Sequence, residues 1–345
     1  MRILIDIGHP AHLHIFRNFA KEMEKDGHKI LFTCRNKEFE IYLLEYYGFD
    51  YKTFGKSYKT VVGKIFGLLK FDILEVLTAL KFKPDLFMGA GSMYVAHAAA
   101  VLRKPCYNFE DTFNMEQVKL YLPFVEKIFV STAGYPDTID KNKLVPYAGY
   151  HELAYLHPNR FTPDKSIYKE LDLEEGQKYV LMRFVAWNAT HDIGENGFSL
   201  DYKINLVKRL AKECAVFISA EDDLPKELQE YRLKTPIHKV HDVMAYASLF
   251  IGEGATMSSE SAMLGTPSIY VDTQDAYTID EQEKYGLVFH YKEQEPTLDK
   301  ALEILQNPDS KDIFTKRRDE MLKKKIDVTQ FLLDYVRERF LVTRG

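Results

Sequence analysis

Residues 251–269, IGEGATMSSESAMLGTPSI, set Gly252 and Gly254 ahead of Thr256, Met257, Ser258, Ser259 and Glu260. Two glycines permit a tight turn and close backbone approach, and Thr256 is a good N-cap for a helix that would begin there. The amides of a first helical turn lack intrahelical acceptors and sit at the positive end of the dipole, so a diphosphate is a suitable guest. Ser258 and Ser259 would add hydroxyl donors. Glu260 would accept from ribose hydroxyls, as the acid of dinucleotide folds does. The competing possibility is an ordinary capped helix with Glu260 exposed.

Three other groups have reactive side chains. His9, His12 and His14 fall within six residues. Residues 12 and 14 of a helix start point in different directions, and no nearby Cys or carboxylate completes a ligand set, so no metal is expected. A single imidazole suits proton transfer from an attacking hydroxyl near neutral pH; capping or burial is the competing role. Glu110 and Asp111 follow an apolar run, where they suit acid–base work or the capping of a following helix. Arg183 ends another apolar run. Its guanidinium fork matches a diphosphate, or else closes a salt bridge at a strand end.

The elements that must hold these groups alternate along the chain. Apolar runs at 2–7, 29–33, 51–54, 85–88, 105–109 and 127–131 read as strands, with helical spacing at 12–26, 37–47, 60–83 and 92–102 between them. Prolines and aromatics in 147–164 break this rhythm, which restarts with strands at 179–183, 215–219, 248–251 and 268–271 and helices near 200–213, 241–247 and 257–264. Residues 311–340 read as terminal helices. The pattern predicts an α/β fold of two Rossmann-like domains facing a central cleft, 1–150 and 151–325, with a terminal helix in 326–345 packing back on the first. Ligands of open parallel sheets sit beyond the carboxyl ends of the strands, which is where the groups above fall.

The chain of 345 residues is 46 % hydrophobic and 28 % charged with a net charge of −5, as for a globular protein, and shows no basic excess that would point to nucleic acid. Cys34, Cys106 and Cys214 form neither a zinc spacing nor a disulfide framework, so a cytoplasmic setting is expected. The first residues read as a strand and not a signal peptide. Residues 59–83 combine bulky apolar side chains with Lys59, Lys64, Lys70, Lys81 and Lys83. Such a segment suits an anionic membrane surface, giving peripheral contact at its inner face, or packs on a sheet with its lysines reaching out.

GATMSSESAMLGTPSI resembles the nucleotide-sugar motif of the glycosyltransferase-B superfamily, which includes the non-hydrolysing UDP-N-acetylglucosamine 2-epimerases. Together with DIGHPAHLHIF at 6–16 and YAGYHELAYLHP at 147–158, it resembles one prokaryotic family of unknown function with that fold, across nearly the whole chain. The resemblance implies that Gly254, Thr256, Met257, Ser258 and Ser259 meet a diphosphate, that Glu260 binds ribose, and that Val240 meets the base through its backbone. It aligns His12 with the acceptor-side histidine of peptidoglycan's N-acetylglucosaminyltransferase and Glu110 with a catalytic glutamate of the epimerases.

The expected activity is metal-independent transfer of a sugar from a nucleotide-sugar, UDP-linked by resemblance, to a glycan or lipid-linked acceptor. Arg183, Ser258 and Ser259 would stabilise the departing diphosphate, His12 or Glu110 would be the base, and no cofactor is expected. An epimerase or hydrolase acting on UDP-N-acetylglucosamine is the alternative, and a non-catalytic nucleotide-sugar-binding protein a third. Against the epimerase, Ile7-Gly8-His9-Pro10-Ala11 replaces its Gly-Thr-Arg-Pro-Glu loop, Met88-Gly89-Ala90 replaces His-Gly-Asp, and RFVAWNATHD at 183–192 has no match to His-Arg-Arg-Glu-Asn.

Overall fold

The computed structural model describes residues 1–340 apart from 37–38, 57–60, 111, 185–197 and 221–222. Two compact units divide the chain after Arg160, and the stretch from Ile326 returns to the first.

Unit 1 runs β1 (Arg2–Ile7), α1 (Pro10–Lys25), β2 (Lys29–Asn36), α2 (Glu40–Tyr46), β3 (Tyr51–Lys56), α3 (Val61–Phe82), β4 (Leu86–Ala90), α4 (Met93–Leu102), β5 (Cys106–Glu110), α5 (Met115–Tyr121), β6 (Lys127–Ser131), β7 (Leu144–Tyr147) and α6 (Leu153–Leu156). Its seven strands form a parallel sheet in the order β3-β2-β1-β4-β5-β6-β7. The central strands are apolar on both sides because helices cover both faces: Ile3, Leu4, Ile5 and Ile7 of β1 are fully buried. Helix α1 is amphipathic and turns Leu13, Phe16, Phe19, Ala20 and Met23 inward.

Unit 2 runs α7 (Ile167–Glu170), β8 (Tyr179–Arg183), α8 (Leu200–Leu210), β9 (Ala215–Ser219), α9 (Val240–Tyr246), β10 (Leu249–Gly252), α10 (Ala255–Met263), β11 (Ser268–Val271), α11 (Tyr277–Lys284), β12 (Val288–Tyr291), α12 (Pro296–Gln306) and α13 (Ser310–Leu322). Its parallel sheet has the order β12-β11-β10-β8-β9. The last helix, α14 (Val328–Phe340), belongs to unit 1, where it contacts α1 and α6 and buries Val328, Leu332, Leu333 and Val336.

The division falls after Arg160 and not after Tyr150. Leu153, Ala154, Tyr155 and Leu156 of α6 are buried against α1 and α14, which ties the segment after Tyr150 to unit 1. Strands β7 and β12 are absent from the sequence reading. Each has four residues, and Pro146 or His290 interrupts its apolar run, too little for alternation to register.

In unit 2, Lys311 fastens α13 to the end of α9. Its ammonium donates to the carbonyl of Ala245 (2.7 Å) and the hydroxyl of Thr266 (2.8 Å). Enclosure, reinforced by the nearby charge of Arg318, lowers its pKa to about 7. Above that pH the native state has released a proton that the unfolded chain keeps until near its ordinary value of 10.5. Native stability therefore rises with pH across this window, by about 1.4 kcal/mol per unit from this group. Lys311→Met should remove that increment. Between about pH 7.5 and 9, urea unfolding should show wild type gaining about 2 kcal/mol on the variant. Parallel pH profiles would mean that the carbonyls keep the ammonium charged.

Candidate functional site

Each sheet has one place where successive connections leave in opposite directions, and ligands of open α/β sheets gather at the carboxyl ends of the strands there. In unit 2 that place lies between β8 and β10. Arg183 is the last residue of β8 and pairs in register with Gly252 of β10. The Glu253 amide donates to the Arg183 carbonyl (3.2 Å). A Cβ on Gly252 would stand 2.7 Å from the Phe250 ring and 3.0 Å from that carbonyl, so the strand end admits only glycine. A Cβ on Gly254 would meet nothing within 4 Å among the described residues.

Gly254, in extended conformation, is the N-cap of α10, and as glycine it offers no side chain to cap the helix. Thr256 is not the N-cap: the helix begins two residues earlier than its hydroxyl suggests. At about 100° per residue that offset turns the following side chains by roughly 200°. It carries Ser258 and Ser259 inward, where they are 0 % and 1 % exposed. Ser259 Oγ accepts from Gln282 Nε2 (2.7 Å), and Ser258 Oγ has no partner among the described residues. The serine hydroxyls are thus not at the helix mouth. Ala255, Thr256 and Met257 are partly exposed there, and their amides precede the first intrahelical bond, from Ser258 to Gly254 (3.2 Å).

Glu260 is also buried, and so is not an exposed helix acid. His241 Nε2 lies 3.0 Å from its Oε1. A carboxylate can only accept, so the imidazole carries a proton on Nε2 and donates a hydrogen bond from it to Glu260. Val240, the first residue of α9, is buried, and its amide donates to the Ile237 carbonyl, so that N–H is not a free base reader. Glu253 beside the helix mouth is buried with Lys203 (3.0 Å) and accepts from the Phe198 amide (2.8 Å). This pair fixes the turn between β10 and α10.

In unit 1 the corresponding place lies between β1 and β4. His12 is in the first turn of α1, directly after β1. Its Nδ1 accepts from the Gly8 amide (3.3 Å), while His9 Nδ1 accepts from the Ala11 amide (3.2 Å) and caps the helix. With Nδ1 engaged, the neutral His12 ring carries its proton on Nε2. Proton uptake at Nδ1 therefore requires release of Gly8. His14 is buried against Tyr155, its Nδ1 3.0 Å from Arg17 Nη1. Glu110, one strand further along at the end of β5, has both oxygens engaged: Oε1 accepts from the Phe113 amide (2.9 Å) and Oε2 from the Tyr121 hydroxyl. It braces the turn before α5. Asp111 and residues 185–192 of the stretch after Arg183 lie outside the described residues.

A polar cluster at the same end of the unit 1 sheet has no counterpart in the sequence reading. Asp6, fully buried in β1, accepts from Ser92 (2.6 Å), Thr33 (3.1 Å) and Arg35. Thr33 Oγ1 also lies 3.0 Å from Oε1 of buried Glu75. One hydroxyl proton cannot serve both carboxyls. Burial, and then the charge of Asp6, raise the Glu75 pKa well above the usual carboxyl range. A protonated Glu75 donating to Thr33, which donates to Asp6, satisfies the chain. Arg35 then sits under the Gly8 turn, where a Cβ would come within 2.9 Å of its Nη2, and so supports the loop that holds His12. The available signal was an acid inside each of two apolar elements: Asp6 in RILIDI and Glu75 in DILEVLTAL.

An uncharacterized protein of Methanocaldococcus jannaschii is 26 % identical over 297 residues, spanning 81 % of this chain and 84 % of that one. The UDP-GlcNAc 2-epimerase of Neisseria meningitidis bound to UDP-GlcNAc superposes with a TM-score of 0.71 at 13 % identity, covering 98 % of this chain and 100 % of the other. A glycosyltransferase of Streptomyces sp. SF2575 gives 0.58 at 14 %, covering 96 % and 99 %. These likenesses establish the fold as glycosyltransferase-B-like, with two Rossmann-like units. The chain belongs to the family described as "Protein of unknown function (DUF354)", whose match runs over residues 1–339.

Proposed function

We propose that the protein is a glycosyltransferase of the B type that takes a UDP-linked sugar on unit 2. The observation that carries this reading is the start of α10 on a glycine N-cap at the β8/β10 switch point, with space before Gly254 that no described residue fills. Amides of Ala255, Thr256 and Met257, the Thr256 hydroxyl and Arg183 supply donors for a diphosphate, stabilising it as it leaves without a metal. Glu260, held by His241, accepts from the ribose. Unit 1 supplies the acceptor side, a glycan or lipid-linked hydroxyl, with His12 or Glu110 for proton transfer. Peripheral membrane contact fits a lipid-linked acceptor. An epimerase remains the second reading because Glu110 stands where its acid would. Met88-Gly89-Ala90 leaves no acid at the end of β4 for that mechanism.

Gly254→Ala and Thr256→Val test the diphosphate site. Neither should disturb the fold, since the new methyl of the first meets nothing within 4 Å and the second is nearly isosteric. Each should weaken UDP about tenfold or more, the first by putting a methyl where a phosphate would sit and the second by removing a hydrogen bond to a charged group, and leave uridine unchanged. Ser258→Ala and Ser259→Ala should leave both ligands unchanged. Isothermal titration with uridine and UDP reads this directly. Equal losses for the two ligands in Gly254→Ala and Thr256→Val would remove the phosphate assignment.

A further inference from the structure

Helix α3 presents an apolar stripe to solvent. Phe66, Leu69, Ile73, Leu77 and Leu80 are 60 %, 61 %, 59 %, 56 % and 54 % exposed. Their spacing of three, four, four and three places them on one side of the helix. The stripe does not end with α3. Ile73 and Leu77 line a shallow depression of about 470 Å³ together with Val101 of α4 and Phe124 after α5. Val101 is 64 % exposed, and Phe124 and Leu120 are each 45 % exposed. Contiguous apolar surface of this extent on a folded unit marks a place of contact.

The charges around it indicate what makes that contact. Lys81 and Lys83 follow the stripe at the end of α3, Arg103 and Lys104 follow Val101 at the end of α4, and Lys119 adjoins Leu120. All five are exposed, and no carboxylate among the described residues pairs with them. The acids of α3 are occupied: Asp72 holds His97 (2.9 Å), and Glu75 is fully buried. Glu116 is the exposed acid on the neighbouring α5. A cationic rim around an apolar stripe has thus formed on a chain whose net charge is −5.

We infer that this face of unit 1 docks on an anionic lipid surface, the side chains from Phe66 to Leu80 entering the headgroup boundary and the rim cations meeting lipid phosphates. Helices with bulky apolar side chains on one face and Lys or Arg at its edge lie in the plane of a membrane in this way. The helix does not cross: among the described residues no helix is long and apolar enough to span a bilayer. A second copy of the chain is a poorer occupant. A two-fold contact through one patch would bring like charges of the two rims together. This inference stands on the exposed stripe and its neighbouring cations and does not need the nucleotide site.

The test is sedimentation of the full chain with vesicles of phosphatidylcholine alone or with about one third phosphatidylglycerol. Wild type should sediment with the anionic vesicles and far less with the neutral ones, and salt should weaken the association. The triple variant Leu69→Gln, Ile73→Gln, Leu77→Gln, changed only at exposed positions, should keep its melting temperature and UDP affinity and lose vesicle binding. Lys81→Gln and Lys83→Gln should each lower partition about fivefold. Absence of binding by wild type, or equal binding by wild type and the triple variant, would overturn the inference. So would a wild-type dimer in analytical ultracentrifugation that the triple variant abolishes, which would make the face a self-interface.

Discussion

His12→Ala should lower the turnover number of sugar transfer by about 10²–10⁴-fold, the usual contribution of a proton-transfer group. UDP affinity should not change, because the groups proposed for the nucleotide belong to unit 2 and His12 to unit 1. The hydrogen bond from Gly8 to His12 Nδ1 shapes the expectation. The ring must either exchange that bond for a proton or act through Nε2–H as a donor. Glu110→Gln is the companion variant. Glutamine keeps the carbonyl oxygen for the Phe113 amide, so the turn before α5 survives while basicity is lost. UDP release from a UDP-sugar, with and without a glycan acceptor, measures both. A large loss in only one variant assigns the proton transfer. Full activity in both would discard both residues, and buried His14, held by Arg17 and Tyr155, would be a poor substitute.

Glu260→Ala should cost one to two decades of affinity for uridine and for UDP alike. The lost hydrogen bonds to ribose are common to both ligands, and a bond to a charged group is worth roughly 1.5–3 kcal/mol. Burial adds a second effect. His241 loses its carboxylate partner, so the melting temperature should fall as well. The two roles separate in one pair of experiments. If Glu260 only supports His241, calorimetry shows a lower melting temperature while titration at low temperature shows wild-type affinity. If it holds ribose, affinity falls at every temperature where the protein is folded.

Much of the scaffold was legible because its strands are short apolar runs bounded by turn residues. The strands expected at 127–131, 179–183, 215–219 and 268–271 are found at those limits. The start of α10 was misjudged by two residues. Thr256 has the better capping side chain, yet the chain caps with Gly254, which has ordinary extended dihedrals and no capping side chain. That shift decides which hydroxyls face outward, so an error of half a turn displaced Ser258 and Ser259 from the site. Tertiary partners were illegible for a different reason. His241 reaches Glu260 across nineteen residues, and Glu75 reaches Thr33 across forty-two; periodicity carries no information about such meetings. The exposed stripe of α3 was half legible. Its composition was plain, but period alone does not tell which apolar face a helix leaves uncovered.

The return of α14 to unit 1 sets an order of events during synthesis. The Phe129 ring, on the sixth strand, meets Phe331 and Tyr335, and Tyr107 meets Tyr335 and Phe340. Those aromatic partners leave the ribosome only after the whole of unit 2 has been made. At ordinary elongation rates the first sheet waits on the order of ten seconds with one aromatic face uncovered, while the second unit, continuous in sequence, has all its strands in hand. The nascent chain therefore holds every strand of the second unit before its first-made unit is closed.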